Sequence, residues 1–281
     1  PMILAKMDAV IRAALEEDMP FGDVSTMAVM PEPRPGRVQL ICKQDGVVAG
    51  LSVFERTFQL IDPAARVERL VEDGAAVTCG QHLATVHADV RALLEAERVA
   101  LNYLQRMSGV ATMTATYQSE LKGLHTKVLD TRKTTPGMRI LEKDAVAMGG
   151  GKNHRIGLFD MILIKDNHID FAGGIEKAID RALQYCKDNG KDLKIEVEVR
   201  SLDDIRRVLE HGGVDRIMFD NFPPELTKEA VKMVNGAVET ESSGGITLKN
   251  LRQYGEAGVD FISVGALTHS VKSLDMSFKA M

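Results

Sequence analysis

The chain has 281 residues, 44% hydrophobic and 27% charged, enough for two modest domains with a substantial core. Its formal net charge of −5 argues against a general nucleic-acid binder, and no uncharged apolar run reaches the roughly eighteen residues of a membrane span. Cys42, Cys79 and Cys186 show no metal or disulfide spacing, and the first eight residues lack the apolar stretch of a secretory signal, so the expected compartment is the cytoplasm.

Ile3, Val10, Ile11 and Ala14 recur at helical spacing, and a turn-rich stretch from Asp18 to Ser25 closes that helix. Between Arg37 and Leu83 short alternating runs are cut by Asp45-Gly46, Asp73-Gly74 and Cys79-Gly80. Val38, Leu40 and Cys42, for example, share one face. Such runs predict an antiparallel sheet, interrupted by a helix near Ser52 to Leu60. A further helix is predicted over Val90 to Met107.

From about residue 108 the rhythm changes. Apolar runs recur, each ending in a polar or charged group or a glycine: Val128 to Arg132, Met161 to Lys165, Ile195 to Glu198, Ile217 to Asp220, Ala237 to Glu241 and Phe261 to Gly265. Amphipathic segments fill the later gaps, as with Leu202, Ile205, Val208 and Leu209. Strand and helix at this period mark an α/β class chain with a parallel sheet or barrel. About six units are visible, short of the usual eight. The domains expected are residues 1–107 and 108–281, with the segment after about 268 able to pack back on the first.

In such barrels the loops after the strand ends build the active site. The ends here carry Arg132 and Lys133, Lys165, Glu198, Asp220, then Glu241, Ser242 and Ser243, and finally Gly265. Cations first and acids later read as one polar pocket. Within forty residues the chain adds Arg139, Lys152, His154 and Arg155, and such groups bind carboxylates and phosphates. The substrate expected is therefore multiply anionic. His154 alone would more often be structural, but between Asn153 and Arg155 after three glycines it reads as a site residue. The glycines of Ser243-Gly244-Gly245 and Val264-Gly265-Ala266 let backbone N–H groups approach a phosphate. Glu196 and Glu198 share a strand face and need cations or a metal if buried; with Asp220 they could hold Mg²⁺ or sugar hydroxyls. No histidine spacing suits zinc.

The segments DTRKTTPGMR, GGGKNHR, LIKDNH, EVEV, FDNF, ESSGGITL and SVGALTHS, with LEEDMPFGDVST and DGVVAGL before them, resemble the quinolinate phosphoribosyltransferase family over nearly the whole chain. The resemblance implies an α/β sandwich-like N-terminal domain and an incomplete α/β barrel. It implies transfer of a phosphoribosyl group from 5-phosphoribosyl 1-pyrophosphate to quinolinate with decarboxylation, and Mg²⁺ accompanying the pyrophosphate. It assigns the quinolinate carboxylates to Arg132, His154, Arg155, Lys165 and a partner subunit's copy of Arg98, which lies thirty-four residues before Arg132. Thr131 belongs to the same substrate site and Lys133 lies near the phosphates. Glu198 and Asp220 take ribose hydroxyls and magnesium, and Ser243 to Gly245 with Val264 to Ala266 take the 5′-phosphate. Lys133, Lys165, Glu198 and Asp220 are the implied catalytic set. The implied assembly is a homodimer with shared sites, higher assembly left open, and no nucleic-acid or membrane partner. Asp144 and Ala147 stand where the family pattern has an aromatic residue and an arginine. Two rivals are a phosphoribosyltransferase for another ring acid and a Schiff-base lyase using Lys165.

Overall fold

A computed structural model describes residues 2–281, with side chains from residue 5 onward. Pro1 and the Ile3 side chain, both used in reading the N-terminus, lie outside the described residues. In chain order the elements are α1 (Met2–Asp18), α2 (Val24–Val29), β1 (Pro35–Cys42), β2 (Gly46–Val47), α3 (Leu51–Gln59), β3 (Arg66–Arg69), β4 (Ala76–Val77) and β5 (His82–Asp89). Then come α4 (Val90–Ser119), β6 (Lys127–Leu129), α5 (Arg139–Met148), β7 (Ile162–Ile164), α6 (Asp166–Ala172), α7 (Ile175–Asp188), β8 (Ile195–Val199) and α8 (Leu202–His211). The chain closes with β9 (Arg216–Asp220), α9 (Pro224–Val234), β10 (Glu239–Ser243), α10 (Leu251–Glu256), β11 (Phe261–Ser263), α11 (Ala266–His269) and β12 (Met276–Ala280).

Two compact units emerge. The first comprises Pro1–Ala115, Thr134–Gly150 and Leu267–Met281. Its antiparallel sheet runs β12-β1-β5-β3, and α3 packs its apolar face into the core. Phe54 meets Phe58 and Phe278 edge-on at centroid distances of 5.3 and 5.7 Å, a geometry worth about 0.5–1.5 kcal/mol per pair beyond burial. Helix α2, read from the sequence as a turn, forms because the Asp23 carboxylate accepts the N–H groups of Ser25 and Thr26 at its start.

The second unit comprises Thr116–Lys133 and Gly151–Ala266. Six parallel strands lie in the order β6-β11-β10-β9-β8-β7, an incomplete barrel. Lys152 continues it by pairing in parallel with Leu129 outside β6. The division differs from a break at residue 107. Helix α4 continues through Ser108 and Gly109 to Ser119, and Thr134–Gly150, carrying α5, groups with the first unit. Gly109 looks like a helix stop in the sequence. In the fold it is a close approach, since a Cβ there would collide with the Lys272 carbonyl. Among the described residues, no helix is long and apolar enough to cross a membrane.

Candidate active site

Strand alternation sorts the barrel side chains by face, and register sorts them by depth. On β8, Ile195, Val197 and Val199 face one way and Glu196 and Glu198 the other. Glu196 lies level with Arg216 on β9, and Glu198 with Met218 one layer higher. On β10, Glu239 is level with Arg216, Glu241 with Met218, and Ser243 with Asp220. The interior therefore has an inner and an outer polar layer.

The outer layer forms a pocket of about 410 Å³ within the second unit. Thr131, Arg132, Lys133, His154, Arg155, Lys165, Glu198, Asp220 and Ser243 all line it, together with Glu241, Ser263, Leu163 and Met218. Nine of the residues singled out from the sequence thus share one cavity, though they are spread over 113 positions of the chain. Like charges crowd within it. Burial, then the neighbouring Arg132 charge, push the Arg155 guanidinium below its ordinary value. Burial, then Asp220 and Asp166, push the Glu198 carboxyl above its own. Lys165 is exposed and opens α6, so it lacks the apolar burial that activates a Schiff-base lysine.

The inner layer joins Glu196 and Arg216 through His154 to Glu241, which also lines the pocket; the sequence offers Glu196, with Glu198 and Asp220, for Mg²⁺ or sugar hydroxyls. Glu196 and Glu241 are fully buried, and the His154 Nε2 lies 2.9 Å from an oxygen of each. Burial opposes a charge on His154, but the two carboxylates outweigh it and raise its pKa to about 9. The Arg155 N–H lies 2.8 Å from Nδ1, and Nε2 faces the two carboxylates. Burial, then the Glu241 charge, push the Glu196 carboxyl above its ordinary value. Arg216 completes the layer, 3.5 Å from Glu241 and 3.8 Å from Glu196, and stacks on Phe261 at 4.4 Å. His154, Glu196 and Glu241 also come close enough to hold a metal ion. The Arg216 guanidinium already supplies the positive charge such a site would need.

The His154 ring forms part of the pocket wall, and its nitrogens contact Glu196, Glu241 and the Arg155 backbone.

The two glycine-bearing loops expected from the sequence to take a phosphate follow β10 and β11. Gly244 and Gly245 have φ of 95° and 66°, and a Cβ on Gly244 would collide with the Asn221 side-chain oxygen. Asn221 itself has φ 56° and donates its N–H to the Ser243 carbonyl at 3.0 Å, so it shapes this loop. The sequence contained it within FDNF but gave no reason to choose it. Val264 donates to the Leu129 carbonyl at 3.0 Å, which fixes the second loop. Arg98 lies elsewhere, exposed on α4 in the first unit beside Glu17, Asp18, Asn102 and Tyr103. Among the described residues it makes no ion pair, with Glu95 or any other acid. Asp144 and Ala147 are exposed on α5 and do not line the pocket.

Fold and pocket together define an α/β-barrel enzyme shaped for a multiply anionic substrate. Family models described as the N-terminal and C-terminal domains of quinolinate phosphoribosyl transferase match residues 23–108 and 110–279. The chain belongs to that family. It is 43% identical to an Arabidopsis thaliana nicotinate-nucleotide pyrophosphorylase [carboxylating], chloroplastic, over 97% of this chain and 82% of the relative. A mitochondrial quinolinate phosphoribosyltransferase [decarboxylating] 2 of Nicotiana glauca is also 43% identical, over 96% and 81%. The NadC crystal structure from Streptococcus pyogenes superposes with a TM-score of 0.89 at 42% identity, covering 97% of this chain and 96% of that one. The cytoplasmic expectation is contradicted by these plant relatives, which are named chloroplastic and mitochondrial. Composition could not show this, because sparse, unpaired cysteines suit any reducing compartment.

Proposed function

We propose that this chain transfers the phosphoribosyl group of 5-phosphoribosyl 1-pyrophosphate to quinolinate, giving nicotinate mononucleotide, pyrophosphate and carbon dioxide. It is thus a pentosyltransferase of pyridine nucleotide and NAD synthesis. The observation that carries this reading is the convergence of Arg132, Lys133, Arg155 and Lys165 on one pocket with Glu198 and Asp220. Arg132, Arg155 and Lys165 hold the two ring carboxylates, leaving the pyridine nitrogen free to attack C1 of the ribose. Glu198 and Asp220 accept hydrogen bonds from the ribose hydroxyls. Lys133 faces the departing pyrophosphate, and the Ser243–Gly245 and Val264–Ala266 loops take the 5′-phosphate. The transition state has oxocarbenium character, so fixed charge and orientation supply most of the catalysis. The ring nitrogen, positive once bonded to the ribose, stabilises the carbanion left at C2 as the 2-carboxyl departs as carbon dioxide, and a proton from water then takes the carboxyl's place.

Two carboxylates at adjacent strand ends, one pushed up by the other's charge, suit a hard divalent cation. Glu198 and Asp220 would hold Mg²⁺, which supplies charge neutralisation for the pyrophosphate. The working assembly is a homodimer in which Arg98 serves the partner's pocket, in keeping with its exposure and lack of an acidic partner. Incubation with quinolinate, 5-phosphoribosyl 1-pyrophosphate and Mg²⁺ tests the reading. Nicotinate mononucleotide and carbon dioxide should form in equal amounts; turnover of nicotinate in place of quinolinate would overturn it.

A further inference from the structure

The residues that bind a dicarboxylate must be held against their mutual repulsion, and the loop carrying Arg155 has little regular structure to do so. Between Gly151 and Arg155 the ladder consists of one bridge: Lys152 donates to Val128 at 2.9 Å, and Asp130 donates to Lys152 at 3.2 Å. Beyond Lys152 the chain leaves the sheet. Asn153 and His154 fix it there. The Asn153 amide donates to the buried Asp130 carboxylate, the His154 backbone N–H donates to the same group at 2.7 Å, and the His154 Nδ1 accepts the Arg155 N–H at 2.8 Å. Asp130 directly precedes the Thr131–Lys133 segment of the pocket wall.

The imidazole is held in turn from the inner layer. Glu241 and Glu196 receive its Nε2–H, and Arg216 lies against both acids. Arg216 cannot drift, because Glu239 lies 3.5 Å from its other Nη and the Phe261 ring lies beneath it. An unpaired carboxylate pair here would be costly, and an apolar filling would leave Nε2 without an acceptor. The layer thus has an orientation as well as a charge balance, and the orientation ends at the Arg155 backbone.

We propose that Glu241 and Arg216 are positioning residues for quinolinate recognition, acting through the His154 imidazole on the placement of Arg155. Glu241 also lines the pocket, but neither residue is given a substrate contact in this scheme. The proposal rests on the transferase reading above and specifies how one of its subsites is kept in register.

The test compares wild type with Glu241→Gln and Arg216→Lys, both near-isosteric, after thermal melts establish that each variant folds. Quinolinate KM should rise about tenfold in both, with the KM for 5-phosphoribosyl 1-pyrophosphate changed less than twofold. A general loss of structure would move both constants together. Equal changes in both constants, or an unchanged quinolinate KM in the folded variants, would overturn the proposal. Wild type is assayed first, and an absence of quinolinate turnover there would remove the transferase reading and this proposal together.

Discussion

Truncating Arg155 to alanine isolates one half of the dicarboxylate clamp. The contact that anchors this residue comes from its backbone N–H to His154, so the substitution removes the guanidinium and leaves the wall standing. A charge-assisted hydrogen bond is worth about 1.5–3 kcal/mol, which is roughly ten- to a hundredfold in affinity. The structure selects the lower part of that range. Arg155 is half-buried, its charge is disfavoured by burial and by Arg132, and its removal relieves that repulsion. Quinolinate should therefore bind about tenfold more weakly, with Arg155→Lys intermediate because it keeps the charge and loses the planar fork. Titration calorimetry of quinolinate into the folded variants measures this directly. Undiminished affinity in Arg155→Ala would refute the placement of a substrate carboxylate at this cation.

Three further outcomes follow from the same geometry. Glu198→Ala and Asp220→Ala should reduce kcat more than quinolinate affinity, since these acids face ribose and metal; full turnover at saturating Mg²⁺ in both would count against that role. Arg98→Ala and Lys165→Ala should each be nearly inactive alone, yet recover about a quarter of wild-type activity when mixed and re-equilibrated. Half of randomly paired dimers are mixed, and each carries one intact site of two. No recovery despite subunit exchange would confine Arg98 to its own subunit. The Asp8 carboxylate is held below its usual 3.8 by hydrogen bonds from Arg56, at 2.8 Å. A depressed folded pKa means stability present above pH about 4 and lost as pH falls through the folded value. For a partly exposed pair the contribution is at most about 1 kcal/mol. Arg56→Gln should therefore lower stability at pH 7 by an amount that shrinks as pH falls below about 4, and a deficit unchanged with pH would exclude the pair as its cause.

The barrel strands were legible because Ile195-Glu-Val-Glu-Val and its counterparts alternate, and a period of two needs no tertiary information. The pocket was legible for the same reason, since charged residues at successive strand ends must converge once the strands are parallel. Depth was not legible. Glu196 and Glu198 are two residues, about 7 Å, apart on one face, yet one lies in the closed inner layer and the other in the pocket. Arg216 was hidden similarly, because Asp215-Arg216 before an apolar run reads as a solvated strand start. Only the register with Glu196 and Glu239 turns that side chain inward. The length of α4 was missed because Ser108-Gly109 looks like a terminator. Its purpose is tertiary, with Ser108 bonded to Ala49 and Gly109 making room for Lys272.

The two polar layers solve opposite electrostatic problems with the same residue types. In the inner layer charge is settled internally. Arg216 and the His154 imidazole face the Glu196 and Glu241 carboxylates, and both acids are fully buried. In the outer layer the four cations Arg132, Lys133, Arg155 and Lys165 face the acids Glu198, Asp220 and Glu241, and like charges repel on each side. The protein's own opposite charges only partly relieve these repulsions. A ligand set that brings carboxylates to the cations and a cation with hydroxyl donors to the acids relieves both, and a ring dicarboxylate with a magnesium-bound phosphoribosyl donor is such a set. Because these charges are fixed before the substrates arrive, their attraction is not consumed in reorganising the site at the moment of reaction. The inner layer makes that arrangement possible, since it holds the cationic wall without competing for what the wall must bind.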